Sequence, residues 1–131
     1  MIKDYKDLIV WQKAMEATAE VYKLAKLLPK EETYALSDQM RRAAISIPSN
    51  IAEGQARNSS KEFNQFLAIA KGSKAELETQ LLLCVKVGYL TDNDIASAIN
   101  LLIEIGKIIN TLQQKLITNT WINPNSNAYS G

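Results

Sequence analysis

The stretch Ser37–Gly54, SDQMRRAAISIPSNIAEG, decides the fold. Leu36, Met40, Ala43, Ile47 and Ile51 recur there at steps of three and four, the spacing of one apolar stripe on a helix. Pro48 falls inside that stripe. A proline in a helix interior removes a backbone donor and crowds the preceding turn, at a cost of about 3 kcal/mol. The sequence therefore predicts a second helix running from about Thr33 towards Arg57, kinked near Pro48. Gly54 either closes that helix or loosens its last turn.

Upstream, Val10, Ala14, Ala17, Val21, Leu24 and Leu28 mark a first amphipathic helix, capped by Asp4 or Asp7 and stopped by Pro29. Downstream, Ser59 and Glu62 have the spacing of a capping box. They open a third helix with Phe63, Phe66, Leu67, Ala70, Ser73, Leu77, Leu81 and Cys84 inward, and Lys86 and Gly88 fit its end. Ala68, Gly72 and Ala75 thin its middle, which points to close approach of another helix. Thr91 and Asp94 form another capping pair, with Asp92 suited to the positive helix start. The fourth helix carries Ile95, Ile99, Leu102, Ile105, Ile109, Leu112 and Leu116.

No segment alternates like a strand. Four helices of about 25 residues, each near ~37 Å long, joined by short connections, predict an all-α, antiparallel up-down-up-down four-helix bundle. The bundle domain is expected over 1–118. Residues 119–131, dense in asparagine, serine, proline and glycine, are expected to form a flexible C-terminal tail holding Trp121 and Tyr129.

Composition restricts the chemistry. The 131 residues suffice for one domain with its own core. There is no histidine and one cysteine, so an internal disulfide, the usual zinc sets and Ser-His or Cys-His catalysis are excluded. Cys84 lies on an apolar stripe and reads as a core residue. Glu76 and Glu78, two apart on a helix, point in different directions and cannot form an acid–base dyad. Asp92 and Asp94 read as caps rather than metal ligands. No enzyme activity, metal or cofactor is implied. No apolar run looks long enough to cross a bilayer, so the expectation is a cytoplasmic protein without membrane contact.

The apolar surface exceeds what one bundle needs. Leu101, Ile103 and Ile108 lie off the fourth helix's seam, and Leu82, Leu83, Val85 and Val87 crowd the end of the third. On the second helix, Ile45 and Ala52 point away from the stripe unless a kink turns them inward. Exposed apolar area of this extent marks an interface. Ile45, Ala52, Leu82, Val85, Leu101 and Ile108 are the expected oligomer contacts, and most oligomers are symmetric homo-oligomers.

Several blocks together carry a resemblance. DLIVWQKA, QMRRAAISIPSNIAEG, KEFNQFLAIAKGS and ELETQL look like the 23S rRNA intervening-sequence protein family, whose members are also labelled four-helix bundle proteins or S23 ribosomal proteins. The likeness spans about Asp7 to Leu116. It implies a bacterial protein whose bundle assembles into a ring, commonly a pentamer. The family is similar in fold to the accessory protein of diversity-generating retroelements, which partners a reverse transcriptase and binds nucleic acid.

A phosphate contact would fall to Arg41 and Arg42, with Arg57, Lys61, Lys71 and Lys74 extending the track. The net charge of +1 confines any such contact to a local patch. Arg42 follows Asp38 by four residues and Lys74 precedes Glu78 by four, so pairing within the chain competes with phosphate binding. Two functions follow as expectations. One is a non-catalytic homo-oligomer binding the RNA or DNA backbone. The other is a protein-binding scaffold or accessory subunit, for a reverse transcriptase for example.

Overall fold

The N-terminal helix signals act one element earlier than expected. Asp4 and Asp7 cap each other's backbone around a 3-10 turn, Tyr5–Asp7, and not the first helix itself. The computed structural model describes residues 4–118; the expected tail, with Trp121 and Tyr129, lies outside them. Four helices follow: α1 (Ile9–Ala25), α2 (Leu36–Gln55), α3 (Ser60–Lys86) and α4 (Asp92–Ile117). The described residues contain no strand. Each helix packs along its neighbours in sequence and α1 meets α4, whereas the diagonal pairs do not approach. This is a four-helix bundle.

α1 ends at Ala25, short of Pro29, which instead opens a second 3-10 turn, Lys30–Glu32. Leu28 is nevertheless buried beyond the helix end. Two side chains stitch this corner. Ser37 Oγ donates at 3.4 Å to the Ala25 carbonyl, which also accepts from the Leu28 backbone N–H at 3.3 Å. Glu32 accepts from the Leu36 backbone N–H at 3.4 Å and so starts α2 three residues later than the sequence suggests.

Within α2 the expected stripe is buried: Met40, Ala43, Ile47 and Ile51 all lie in the core. Pro48 is buried too, and helical structure continues on both sides of it. Proline cannot donate to the carbonyl four residues back, which belongs to Ala44. Thr18 Oγ1 on α1 reaches that carbonyl at 3.1 Å and its own Ala14 carbonyl at 2.8 Å, so its one proton is shared between the two. The cost expected of Pro48 is thereby offset by a neighbouring helix.

Gly54 neither closes nor loosens α2. A Cβ there would stand 2.6 Å from Phe66 Cβ and 3.1 Å from Phe63 Cδ1, so the glycine lets α3 close on α2. Gly72 is the reverse. It was expected to admit a neighbouring helix, yet a Cβ at Gly72 would meet nothing within 4 Å. Within the protomer, the α3–α4 approach falls at Gly106, where the Lys74 side chain lies 2.8 Å from a would-be Cβ.

Signals at the α3–α4 turn are read correctly from sequence. Gly88 takes φ +87°, with its N–H to Val85 O at 3.1 Å and the Tyr89 N–H to Cys84 O at 2.8 Å, the paired bonds of a Schellman end. Thr91 and Asp94 then form a reciprocal capping box on α4. α4 has 26 residues, and an 18-residue window within it reaches a mean hydropathy of 1.4, long and apolar enough to cross a bilayer by length and composition, contrary to the sequence reading. Here one side of it packs on α1 and α3, burying 39% of that window.

Candidate nucleic-acid interface and assembly surface

The six cations of the expected track sit on α2, α3 and the turn between them, and the fold divides them. Arg42 is exposed but held by Asp38 at 3.0 Å, one helical turn away. Arg41 donates through Nη2 to the Thr33 carbonyl at 3.3 Å, bracing the start of α2. Arg57 meets Glu62 at 3.7 Å and stacks over the Phe66 ring at 5.1 Å from its centroid. Lys74 reaches across Gly106 and pairs with Glu78 at 2.8 Å. Lys61 and Lys71 are exposed on α3 and form no ion pair among the described residues. The track is therefore two open cations flanked by four that already serve the protomer.

Several other carboxylates hold partners within the protomer. Glu104 on α4 pairs with Lys13 on α1 at 2.7 Å, and that hydrogen bond raises the Lys13 pKa above its ordinary value. Glu76 accepts from Gln80 Nε2 at 3.4 Å, and Glu78 holds Lys74, so the two neighbours face different partners. Among the described residues no group of three or more cysteine, aspartate or glutamate side chains is placed to hold a metal ion. Cys84 is fully buried with Sγ 3.6 Å from Met40 Sδ, and burial pushes its thiol pKa up.

The expected oligomer contacts divide as well. Ile45 and Leu82 are exposed, at 42% and 55%. Ala52 is half-buried. Val85, Leu101 and Ile108 lean onto the core and are largely covered within the protomer, so their apolar excess is smaller than their sequence positions suggest. Leu101 also lines a crevice between α1 and α4 with Glu16, Ala19 and Glu20. Leu83, Val87 and Ile103 remain substantially in water.

Sequence reading missed an apolar groove. Ile45 and Ala52 form one wall of an open groove of about 390 Å³ between α1 and α2, with Pro48 and Ser49. Tyr5, Trp11, Met15 and Thr18 form the other wall. The Tyr5 and Trp11 rings meet edge to face at 5.3 Å and 72°. A signal was available: Trp11, Met15, Thr18 and Tyr22 repeat at steps of four, three and four, a second stripe beside the core one. Ile69, 53% exposed on α3, was also missed.

The described residues thus form a four-helix bundle that leaves large apolar side chains on its outer faces. The chain belongs to the 23S rRNA-intervening sequence protein family, whose pattern matches residues 6–111. It is also similar to a crystal structure of a protein of unknown function from the S23 ribosomal protein family of Bacteroides thetaiotaomicron VPI-5482. That likeness has a TM-score of 0.75 and 29% identity, covering 81% of this chain and 99% of the other. No curated protein matches.

Proposed function

We propose that this protein is a non-catalytic homo-oligomeric module, assembling into a ring of five copies, that contacts the backbone of RNA or DNA. The observation that carries the assembly is the apolar area left in water by the protomer: the groove around Trp11, Met15 and Ile45, and the exposed Ile69, Leu82, Leu83 and Val87. Monomers rarely expose so many large apolar side chains together. Lys61 and Lys71 support the nucleic-acid contact, because neither is committed to a carboxylate. Two cations per copy make a weak site, and a ring multiplies them.

A second reading has its own support. Arg42, Arg57 and Lys74 hold carboxylates of their own protomer, which favours a scaffold for a partner protein, such as a reverse transcriptase, without nucleic-acid contact. In either reading the protein works in a reducing cytoplasm.

Gel-shift titrations on structured RNA and on duplex DNA at two salt concentrations separate the readings. Binding should fall steeply with salt, and Lys61→Glu with Lys71→Glu should weaken it and flatten the salt dependence. Absence of binding at low salt removes the nucleic-acid reading. Light scattering that returns a monomer at micromolar concentration removes the assembly.

A further inference from the structure

Charge is sorted along the α3–α4 pair, although the chain as a whole carries only +1. On α4 the carboxylates Asp92, Asp94 and Glu104 all precede Gly106, and the cations Lys107 and Lys115 both follow it. The Lys74 side chain lies against Gly106 and so marks the antiparallel register of the two helices. On the side of that contact where α3 starts and α4 ends lie residues 60–73 and 107–117. This half carries Lys61, Lys71, Lys107 and Lys115 against one carboxylate, Glu62. The other half holds Glu76, Glu78, Asp92, Asp94 and Glu104 with Lys86.

Helix geometry assigns these charges to faces. At about 100° per residue, Lys71 lies within about 60° of Lys74, so both stand on the α4 flank of α3. Ile69 and Val87 lie about 160° round from Lys71, and Glu62 falls on the Ile69 side. The exposed apolar stripe and the Arg57–Glu62 pair thus share one flank, and Lys71 has the other. On α4, Lys107 follows Gly106 on the side away from buried Ile105. It is exposed and forms no ion pair among the described residues. Lys71 and Lys107 therefore flank one furrow, at heights that differ by about 3 Å.

We infer that this α3–α4 furrow, with Lys71 on one wall and Lys107 on the other, holds the sugar–phosphate backbone of the nucleic acid. The inference rests on the nucleic-acid reading and moves the contact from the arginines of α2 to α4. Ala68 and Gly72 keep the α3 wall low, and a Cβ at Gly72 would meet nothing within 4 Å, so a strand can approach the helix beneath the lysine ammonium groups. Asn110, exposed one turn beyond Gly106, adds an amide donor for a phosphate oxygen. The acidic half repels a polyanion and confines it to the basic one. The apolar stripe of α3, on its other flank, stays clear of the strand.

Binding of a fluorescein-labelled RNA stem–loop and of a DNA duplex, followed by anisotropy across a salt series, tests the furrow. Lys71→Gln with Lys107→Gln should weaken binding at least ~10-fold at low salt and lower the slope of log K against log salt by about two. Lys71→Arg with Lys107→Arg keeps the charges and should keep the slope. Lys26→Gln with Lys30→Gln makes the same charge change at the far end of the bundle and should shift affinity less than about twofold. Circular dichroism and light scattering should match the wild type throughout. An unchanged affinity and slope in the Lys71–Lys107 glutamine variant overturns the furrow and leaves nucleic-acid binding standing. So does a loss that appears with Arg42→Gln instead. A wild type that binds neither probe at low salt overturns the nucleic-acid reading along with the furrow.

Discussion

Thr18 stands where Pro48 leaves the Ala44 carbonyl without its helical donor: the threonine hydroxyl on α1 lies 3.1 Å from the Ala44 carbonyl on α2. It shares its one proton between that carbonyl and its own Ala14 carbonyl at 2.8 Å. A buried carbonyl without a donor costs about 1–3 kcal/mol. Thr18→Val keeps the shape and removes the donor, so it should destabilise the fold by about 1–2 kcal/mol in urea titrations. Pro48→Ala restores the backbone N–H, and in that background Thr18→Val should cost clearly less. Equal costs in the two backgrounds would show that the hydroxyl does not answer the proline.

Gly54 and Gly72 should respond to alanine with opposite signs. At Gly54 the new methyl would collide with Phe66 Cβ at 2.6 Å, in a helix pair that cannot part without uncovering Phe63. Overpacking of this kind costs about 1–3 kcal/mol. At Gly72 the methyl enters open space, and helix propensity favours alanine by up to about 1 kcal/mol. Denaturation of dilute protein reads both. Destabilisation by Gly72→Ala would mean that the position is crowded in solution.

The difference between these glycines explains what the sequence revealed. Local signals were legible because their partners lie within one turn: the Thr91–Asp94 box, the Gly88 helix end, the Arg42–Asp38 and Lys74–Glu78 pairs, and the stripe through Met40 and Ile51. Glycine roles, by contrast, depend on which face of a helix meets which neighbour. The register that sets Phe66 over Gly54 is tertiary, and so is the Thr18–Ala44 bond. The candidate site was harder for the same reason. Lys61 and Lys71 look like Arg57 and Lys74 in sequence, and only packing shows that the latter two are occupied. The groove needed two stripes from separate helices to come side by side.

Tyr89 ties the α3–α4 turn to the α1–α2 connection, its hydroxyl donating to Glu32 Oε2 at 2.8 Å. That hydrogen bond is the main reason its phenol pKa stands above the ordinary value, with burial second. A raised pKa stabilises the fold fully below the unfolded value, near 10 for tyrosine, and the contribution disappears as pH rises through the folded value. Wild-type stability should therefore decline above about pH 10 more steeply than that of Tyr89→Phe, and the two curves should converge. Parallel curves across that range would mean that the bond does not persist in solution.

Cys84 should behave as packing rather than as a reactive thiol. Its side chain is fully buried against Met40, and burial holds its pKa above the usual thiol value, so the thiolate needed for attack is scarce at neutral pH. Reagent can reach the sulfur only when the α2–α3 contact opens. Labelling by a disulfide reagent at pH 7 should be at least ~100-fold slower in the native protein than in urea, and should accelerate as urea is raised through the unfolding transition. Cys84→Ala should cost stability without altering assembly, because the sulfur lies inside the bundle and far from either outer face. Rapid native labelling would show that α2 and α3 separate readily, and the core assigned around Met40 would have to be redrawn.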